Sequence, residues 1–263
     1  MGLLEEIIET LPAGPRIEEV YICAFDIAVK SLDWGLSSSF RDPCSGSSPA
    51  WVRRSGELIG MEARELARYA FSDRLLEASL GMAALNSLID VSGFTFQEIN
   101  AARIVLDRGR GKNVVIVGDF PFLHKLRSEV RNLWVVSREP WEGQEGVAEA
   151  RDLLARADVA AITGSSFINH TTEELLSYCP QAYTIMLGPS TPFSPILFKY
   201  GVDVISGARV EDPELALKYI CQGASFRQIK GVNRATAFNT ETVDIPYSKR
   251  LFNHEEHKVH EGI

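Results

Sequence analysis

Five short apolar runs constrain the second half of the chain: NVVIVGD at 113–119, LWVV at 133–136, DVAAITG at 158–164, AYTIM at 182–186 and VDVIS at 202–206. Apolarity without alternation suits strands buried on both faces, and strands that take turns with helices build a parallel sheet with helices packed on either side. The intervening stretches predict helices at 96–106, from near Pro121, at 147–157, from Thr171 through Tyr178, and from Pro195 to Gly201. A last helix runs from Asp212-Pro213-Glu214 to near Gly223. Ser194 reads as an N-cap with Pro195 in the first helical position, and Thr171-Thr172-Glu173-Glu174 reads as a capping box.

The first part of the chain is patterned differently. Strand character at 20–24, at 27–29 and, more polar, at 34–40 precedes a loop rich in Ser, Gly and Pro. Helical spacing of Leu58, Ile59, Ala63, Leu66, Ala67 and Ala70 follows, then a second helix with Ser72 as its N-cap that runs through Leu88. The fold class is therefore α/β, with a small α+β domain over 1–95 and a parallel-sheet domain over 96–263. The small residues of Ala78 to Ala84 allow close helix packing, and a symmetric homodimer is an expectation on that ground.

Composition narrows the partners. With 27 basic against 35 acidic residues the formal charge is -8, which argues against a phosphate-backbone interface and leaves room only for a local basic pocket, so no nucleic acid is expected. The N-terminus MGLLEE lacks the basic charge of a signal peptide, and no run approaches the roughly 20 apolar residues of a membrane span. A cytoplasmic protein without a membrane partner is the expectation. Cys23, Cys44, Cys179 and Cys221 form no CxxC pair, so neither a zinc ribbon nor a disulfide framework is indicated. Cys23 and Cys179 read as buried small hydrophobes and Cys44 as exposed.

Three of the apolar runs end in Gly118-Asp119, Thr163-Gly164-Ser165-Ser166 and Gly188-Pro189-Ser190-Thr191. In an open parallel sheet these turns share one edge, where glycine admits close approach of a ligand and hydroxyls and amides suit an anion. Such residues also make up ordinary strand-to-helix connections. Pro189 and Pro192 stiffen LGPSTPFSP, so the hydroxyls of Ser190 and Thr191 are expected to be exposed and to face a ligand. No GxGxxG or GxxxxGK[ST] occurs, which weakens a dinucleotide or ATP role. Asn169-His170 offers either a base or metal ligand at the same edge or a locally bonded turn. His254, His257 and His260, with Glu255 or Glu256, suit either a metal or a solvated tail.

The stretches DVAAITGSSFINHTTEELL from Asp158 and LGPSTPFSPILFKYGVDVISG from Leu187 closely resemble domain-of-unknown-function family 364, whose name suggests heavy-metal chelation. The stretch from Gly56 to Asn86, with GELIG and GMAALNSLI, resembles its N-terminal companion, family 4213. Together the two resemblances span about Leu11 to Val232. They imply an enolase-N-terminal-like domain joined to a Rossmann-like domain, with a site in the cleft between them. Gly118, Phe120, Thr163, Gly164, Asn169, Thr171, Gly188, Ser190, Thr191 and Pro192 match the family pattern, and Asp119, Ser165 and His170 join them as candidate ligand-binding residues. Ser137 and Gly143-Gln144 stand where the family often carries an acidic residue and a Gly-Asp pair, with Glu139 or Glu145 as substitutes.

The ligand that the resemblance implies is a small anion, or a heavy or transition metal ion or its complex. No metal ligand or catalytic residue is assigned. An enzyme acting on a nucleotide-like or carboxylate substrate, with Asp119, His170 and Arg53 or Arg54 as its titrating candidates, and a non-catalytic binding module remain the alternatives.

Overall fold

The computed structural model describes residues 1–41, 51–137 and 144–240. A helix, α1 (Leu3–Thr10), leads into a three-stranded antiparallel meander of β1 (Glu19–Ile22), β2 (Asp26–Lys30) and β3 (Trp34–Ser38). Helices α2 (Ala63–Ala67) and α3 (Leu75–Asn86) complete the first layer, with a turn of 3-10 helix at Arg68–Phe71 between them. The remainder runs α4 (Ala101–Gly109), β4 (Asn113–Val117), α5 (Leu123–Leu126), β5 (Asn132–Val136), α6 (Ala150–Leu154) and β6 (Val159–Thr163). It continues through α7 (Thr172–Tyr178), β7 (Tyr183–Leu187), α8 (Ile196–Lys199), β8 (Val204–Val210), α9 (Pro213–Cys221) and β9 (Val232–Phe238).

The second sheet has the order β5-β4-β6-β7-β8-β9, parallel throughout except for the antiparallel edge pair β8 and β9. The chain moves outward from β4 to β5, then returns to the other side of β4 for β6. That reversal is a topological switch point, and it places the carboxyl ends of β4 and β6 side by side. Alternate residues of the parallel strands feed two cores. Val115, Ala160, Ile162, Met186 and Ile205 pack with the α1 and α3 side, whereas Val114, Ile116, Val159, Ala161 and Ile185 pack against Ile104 and Val105 of α4. Burial on both faces is why these strands read as unbroken apolar runs.

The small sheet is also covered on both faces. Ala28 and Leu36 pack on Ala216 and Ile220 of α9, while β3 presses its other side on α3, where a Cβ at Gly35 would lie 2.1 Å from the Ala83 carbonyl oxygen. This double cover buries Gly35, Leu36 and Ser37 in a strand that reads as polar. Helix α3 is apolar on every side and buried from Glu77 to Leu85, as a helix sandwiched between layers must be.

Several local expectations are corrected. The pattern from Ser55 yields turns up to Met61 and a helix only from Ala63, and Ile59 is exposed. Ser72 does not cap α3; its hydroxyl donates to Glu77 Oε2 at 2.7 Å. The helix predicted over 96–106 starts at Ala101, because Asn100 caps it by accepting from Ala102 N. Thr171 makes no capping bond to α7, since its hydroxyl donates to Asn169 Oδ1 instead. Both α1 and β9 go unpredicted. Among the described residues no helix is long and apolar enough to cross a membrane.

Helix α3 also closes on the 3-10 turn, where a Cβ at Gly81 would sit 2.0 Å from Ala70 N and 2.5 Å from the Tyr69 carbonyl carbon. Backbone cannot yield as a side-chain tip can. Gly81→Ala should therefore destabilise the protein by about 2–4 kcal/mol, read as a lower urea midpoint at unchanged slope; a loss below about 0.5 kcal/mol would contradict this packing.

Candidate functional site

The carboxyl ends of β4, β5, β6 and β7, with Ser206 and Gly207 of β8, open onto a cavity of about 1190 Å³. Gly118, Asp119 and Phe120 line it after β4, Thr163 and Ser165 after β6, and Gly188 and Pro189 after β7. Asn169 and Thr171 form its side near α7, and Ser38, Phe40 and Leu75 close it from the N-terminal layer. Gly118 takes φ +109° and lies against Thr163, 3.0 Å from the place a Cβ would occupy to Thr163 Cβ, so this turn at the switch point is suited to glycine alone. Thr163 Oγ1 accepts from Ser165 N, and Asn169 Oδ1 accepts from both Thr171 N and Thr171 Oγ1.

The other candidates lie behind this wall. Gly164 is buried and meets the next turn so closely that a Cβ would fall 2.4 Å from Thr191 Oγ1. Ser190 and Thr191 are 0% and 2% exposed and do not line the cavity, which corrects the expectation of exposed hydroxyls. Ser190 Oγ accepts from Ser38 N at 2.9 Å and lies 3.1 Å from Ser37 Oγ, while Asn86 Nδ2 donates to Leu36 O and Pro189 O. The stiff LGPSTPFSP turn is thus a seam between the parallel sheet and the small sheet. Pro192 is buried in the same turn and also lies off the cavity wall.

His170 likewise ties the segment before α7 to the 3-10 turn at Arg68–Phe71. It adopts φ 61°, and its Nε2 lies 2.8 Å from Ala70 O, a contact in which the ring must donate. Arg53 and Arg54 pair within the first layer, Arg53 with buried Glu77 and Arg54 with Glu57 and Glu65. Burial pushes the Glu77 carboxyl up, but the Arg53 N–H, the Ser72 hydroxyl and the Arg53 guanidinium outweigh it and hold the group below its usual range. Residues 42–50, which hold Cys44 and most of the loop rich in Ser, Gly and Pro, lie outside the described residues, as do Glu139, Gly143 and His254, His257 and His260.

Charge around the cavity is uneven. Lys125, Arg151, Arg227 and Arg234 line it, with His124, against the carboxylates of Asp119 and Glu174. Asp119 Oδ1 accepts from Gln144 Nε2 at 2.6 Å. Glu174 accepts from the Tyr178 hydroxyl. Arg234, from β9, stands 5.6 Å above the Phe226 ring, and its pKa is lowered, first by burial and then by the charge of Arg227. Neither Arg227 nor Arg234 forms an ion pair among the described residues. Sequence reasoning missed both, since two arginines seven positions apart in unassigned chain carry no motif.

A metal ion needs several donors converging on one point. Among the described residues no group of three or more His, Cys, Asp or Glu side chains is placed to hold one. The two cavity carboxylates are each engaged by a neighbour. The described lining therefore does not fit a bare cation coordinated by protein alone.

One further carboxyl is notable. Asp26, opposite Ser38 in the β2–β3 register, is 2% exposed, and its Oδ2 has no hydrogen-bond partner among the described residues. Burial pushes its pKa up to about 7.

Comparison with known proteins follows the same two-part division. The DUF364 family model, described as "Putative heavy-metal chelation", matches residues 100–239, more than half of the chain, and the DUF4213 model, with the same description, matches residues 4–89. A DUF364-family protein of unknown function from Desulfitobacterium hafniense superposes with a TM-score of 0.79 at 23% identity, over 90% of this chain and 98% of that one. A second, from Pyrococcus horikoshii, gives 0.70 at 18% identity with the same coverage. At these identities the likeness speaks for the fold. No curated protein matches.

Two outcomes follow from the buried polar groups. Ser190→Ala strips the Ser38 N–H of its acceptor and should cost about 1–3 kcal/mol of stability; a change under about 0.5 kcal/mol in denaturant titration would contradict the seam. For Asp26, the unfolded carboxyl loses its proton near pH 3.8 while the folded one keeps it to about 7, so its contribution falls as pH rises through that window and is level above it. Asp26→Asn should remove this slope and be the more stable form above pH 7, by up to about 4 kcal/mol. Parallel unfolding curves of the two proteins from pH 4 to 8 would show the opposite.

Proposed function

The chain belongs to the DUF364 family, and on that premise we propose that it binds a small anionic ligand, including a metal carried within an anionic complex, in the cleft between its two domains. The observation that carries this reading is the cluster of Lys125, Arg151, Arg227 and Arg234 around the cavity at the switch point, in a protein whose net charge is -8. Like charges gathered against the prevailing sign are unfavourable unless a ligand offsets them. Arg227 and Arg234 repel one another, and a carboxylate or phosphate between them would relieve that repulsion with charge-assisted hydrogen bonds.

Volume points the same way. About 1190 Å³ suits an organic molecule rather than a lone ion, and Phe40, Phe120, Phe122 and Phe226 supply apolar wall for its carbon frame. Heavy-metal chelation and a cationic lining are compatible if the metal's donors come from the bound anion and the protein holds that anion. The polar turns after β4 and β6 then supply backbone amides and the Thr163 and Ser165 hydroxyls to orient it.

Native mass spectrometry and elemental analysis of protein purified without an affinity tag should detect an anionic adduct, with or without a metal. Arg227→Ala combined with Arg234→Ala should weaken its retention at least tenfold, since each charge-assisted hydrogen bond is worth about 1.5–3 kcal/mol, while circular dichroism stays unchanged. A metal held with no accompanying anion, or undiminished retention by the double variant, would overturn the reading.

A further inference from the structure

Cys23 and Cys221 are 198 positions apart, yet their sulfurs lie 3.7 Å from each other. Cys23 follows β1 and is half-buried; Cys221 is the last residue of α9 and is exposed. Packing imposes this proximity. Ala28 and Leu36 of the small sheet bear on Ala216 and Ile220 of α9, with Cys23 against the same cluster. Cys23 N donates to Asp26 O, which fixes the turn that carries the thiol.

We infer that Cys23 and Cys221 form a reversible disulfide that joins the two domains. A disulfide holds its sulfurs about 2.05 Å apart, so sulfurs already in contact have little distance left to close. With a low-molecular-weight disulfide RSSR as oxidant, the Cys221 thiolate attacks one sulfur, forms Cys221–S–SR and expels RS⁻. The Cys23 thiolate then attacks Cys221 Sγ, breaks the mixed bond and expels the second RS⁻. The two protein thiols lose two electrons and two protons, RSSR gains them, and two RSH leave. Exposure makes Cys221 the entry point. Burial first, and the neighbouring Cys221 thiol second, push Cys23 up to about 11, so Cys23 is suited to resolve rather than to initiate. Once Cys221 is in the mixed disulfide its share of that shift is gone.

The bridge has a structural consequence. The chain leaves α9 at Cys221 and reaches the cavity at Ser225, Phe226 and Arg227. Oxidation anchors the start of that segment to the small sheet, and reduction releases it.

The test uses the full chain, reduced and then incubated under native conditions with oxidised glutathione, quenched in acid, alkylated and digested. Mass spectrometry should find a peptide pair linked through Cys23 and Cys221, reversed by dithiothreitol, and the oxidised protein should melt higher by on the order of 10 °C. Cys23→Ser should accumulate glutathione on Cys221, and Cys221→Ser should leave Cys23 unmodified. The inference fails if wild-type protein keeps both thiols free or holds glutathione stably at Cys221. It fails equally if the link forms only in urea, or if either residue links instead to Cys44 or Cys179.

Discussion

The hydroxyl of Ser190 is the contact on which the candidate site depends. It receives the Ser38 N–H from the last residue of the small sheet, while Asn86 of α3 reaches both Leu36 O and Pro189 O. These bonds hold the turn after β7 against β3, and so hold Ser38 and Phe40 over the carboxyl ends of the parallel strands. Buried polar groups tolerate little displacement, because a donor without its acceptor pays its full desolvation cost. The prolines on either side of Ser190 reduce the ways the turn can relax away. Its rigidity serves the joint between the small sheet and the parallel sheet, and the cavity is a consequence of that joint.

Within that frame, glycine decides how closely the layers meet. Gly35 and Gly81 bring backbone to backbone around α3, and Gly164 lets the turn after β6 lie on Thr191. Side chains at these points would push the layers apart and change the width of the cavity. Helix α3 is consequently the shared wall of the first layer, largely apolar all round, with Glu77 its buried carboxylate. Glu77 is tolerated because Arg53 and Ser72 complete its hydrogen bonds.

Electrostatics then gives the cavity its character. The switch point supplies a crevice of amides and small polar side chains, while the cations arrive from elsewhere: Arg151 from α6, Arg227 from the segment after α9 and Arg234 from the antiparallel edge strand β9. The family models that match the chain are described by putative heavy-metal chelation, and the cavity lining carries Lys125, Arg151, Arg227 and Arg234 against Asp119 and Glu174. Cys221 lies just upstream of the segment that carries Arg227, so the thiol contact between the small sheet and α9 bears on the same wall.

Much of this was legible in the residues. Unbroken apolar runs can only be strands covered on both faces, and their alternation with helices dictates a parallel sheet whose polar turns gather at one edge. The places of Gly118, Asp119, Thr163 and Gly188 on the cavity wall could be read in this way, because their positions follow from the strand each one ends. Periodicity was less informative for Ser190, His170 and Cys23. Their partners are Ser38, Ala70 and Cys221, each about a hundred residues or more away, and nothing in a local stretch records which distant backbone will cover it. The same holds for α1 and β9, a short helix and an edge strand stabilised by the layers they close. Local sequence determined the strands and the turns that end them; tertiary packing alone decided which hydroxyls were sealed in the seam and which arginines faced the cavity, since burial and charge proximity are set by contacts between segments far apart in the chain.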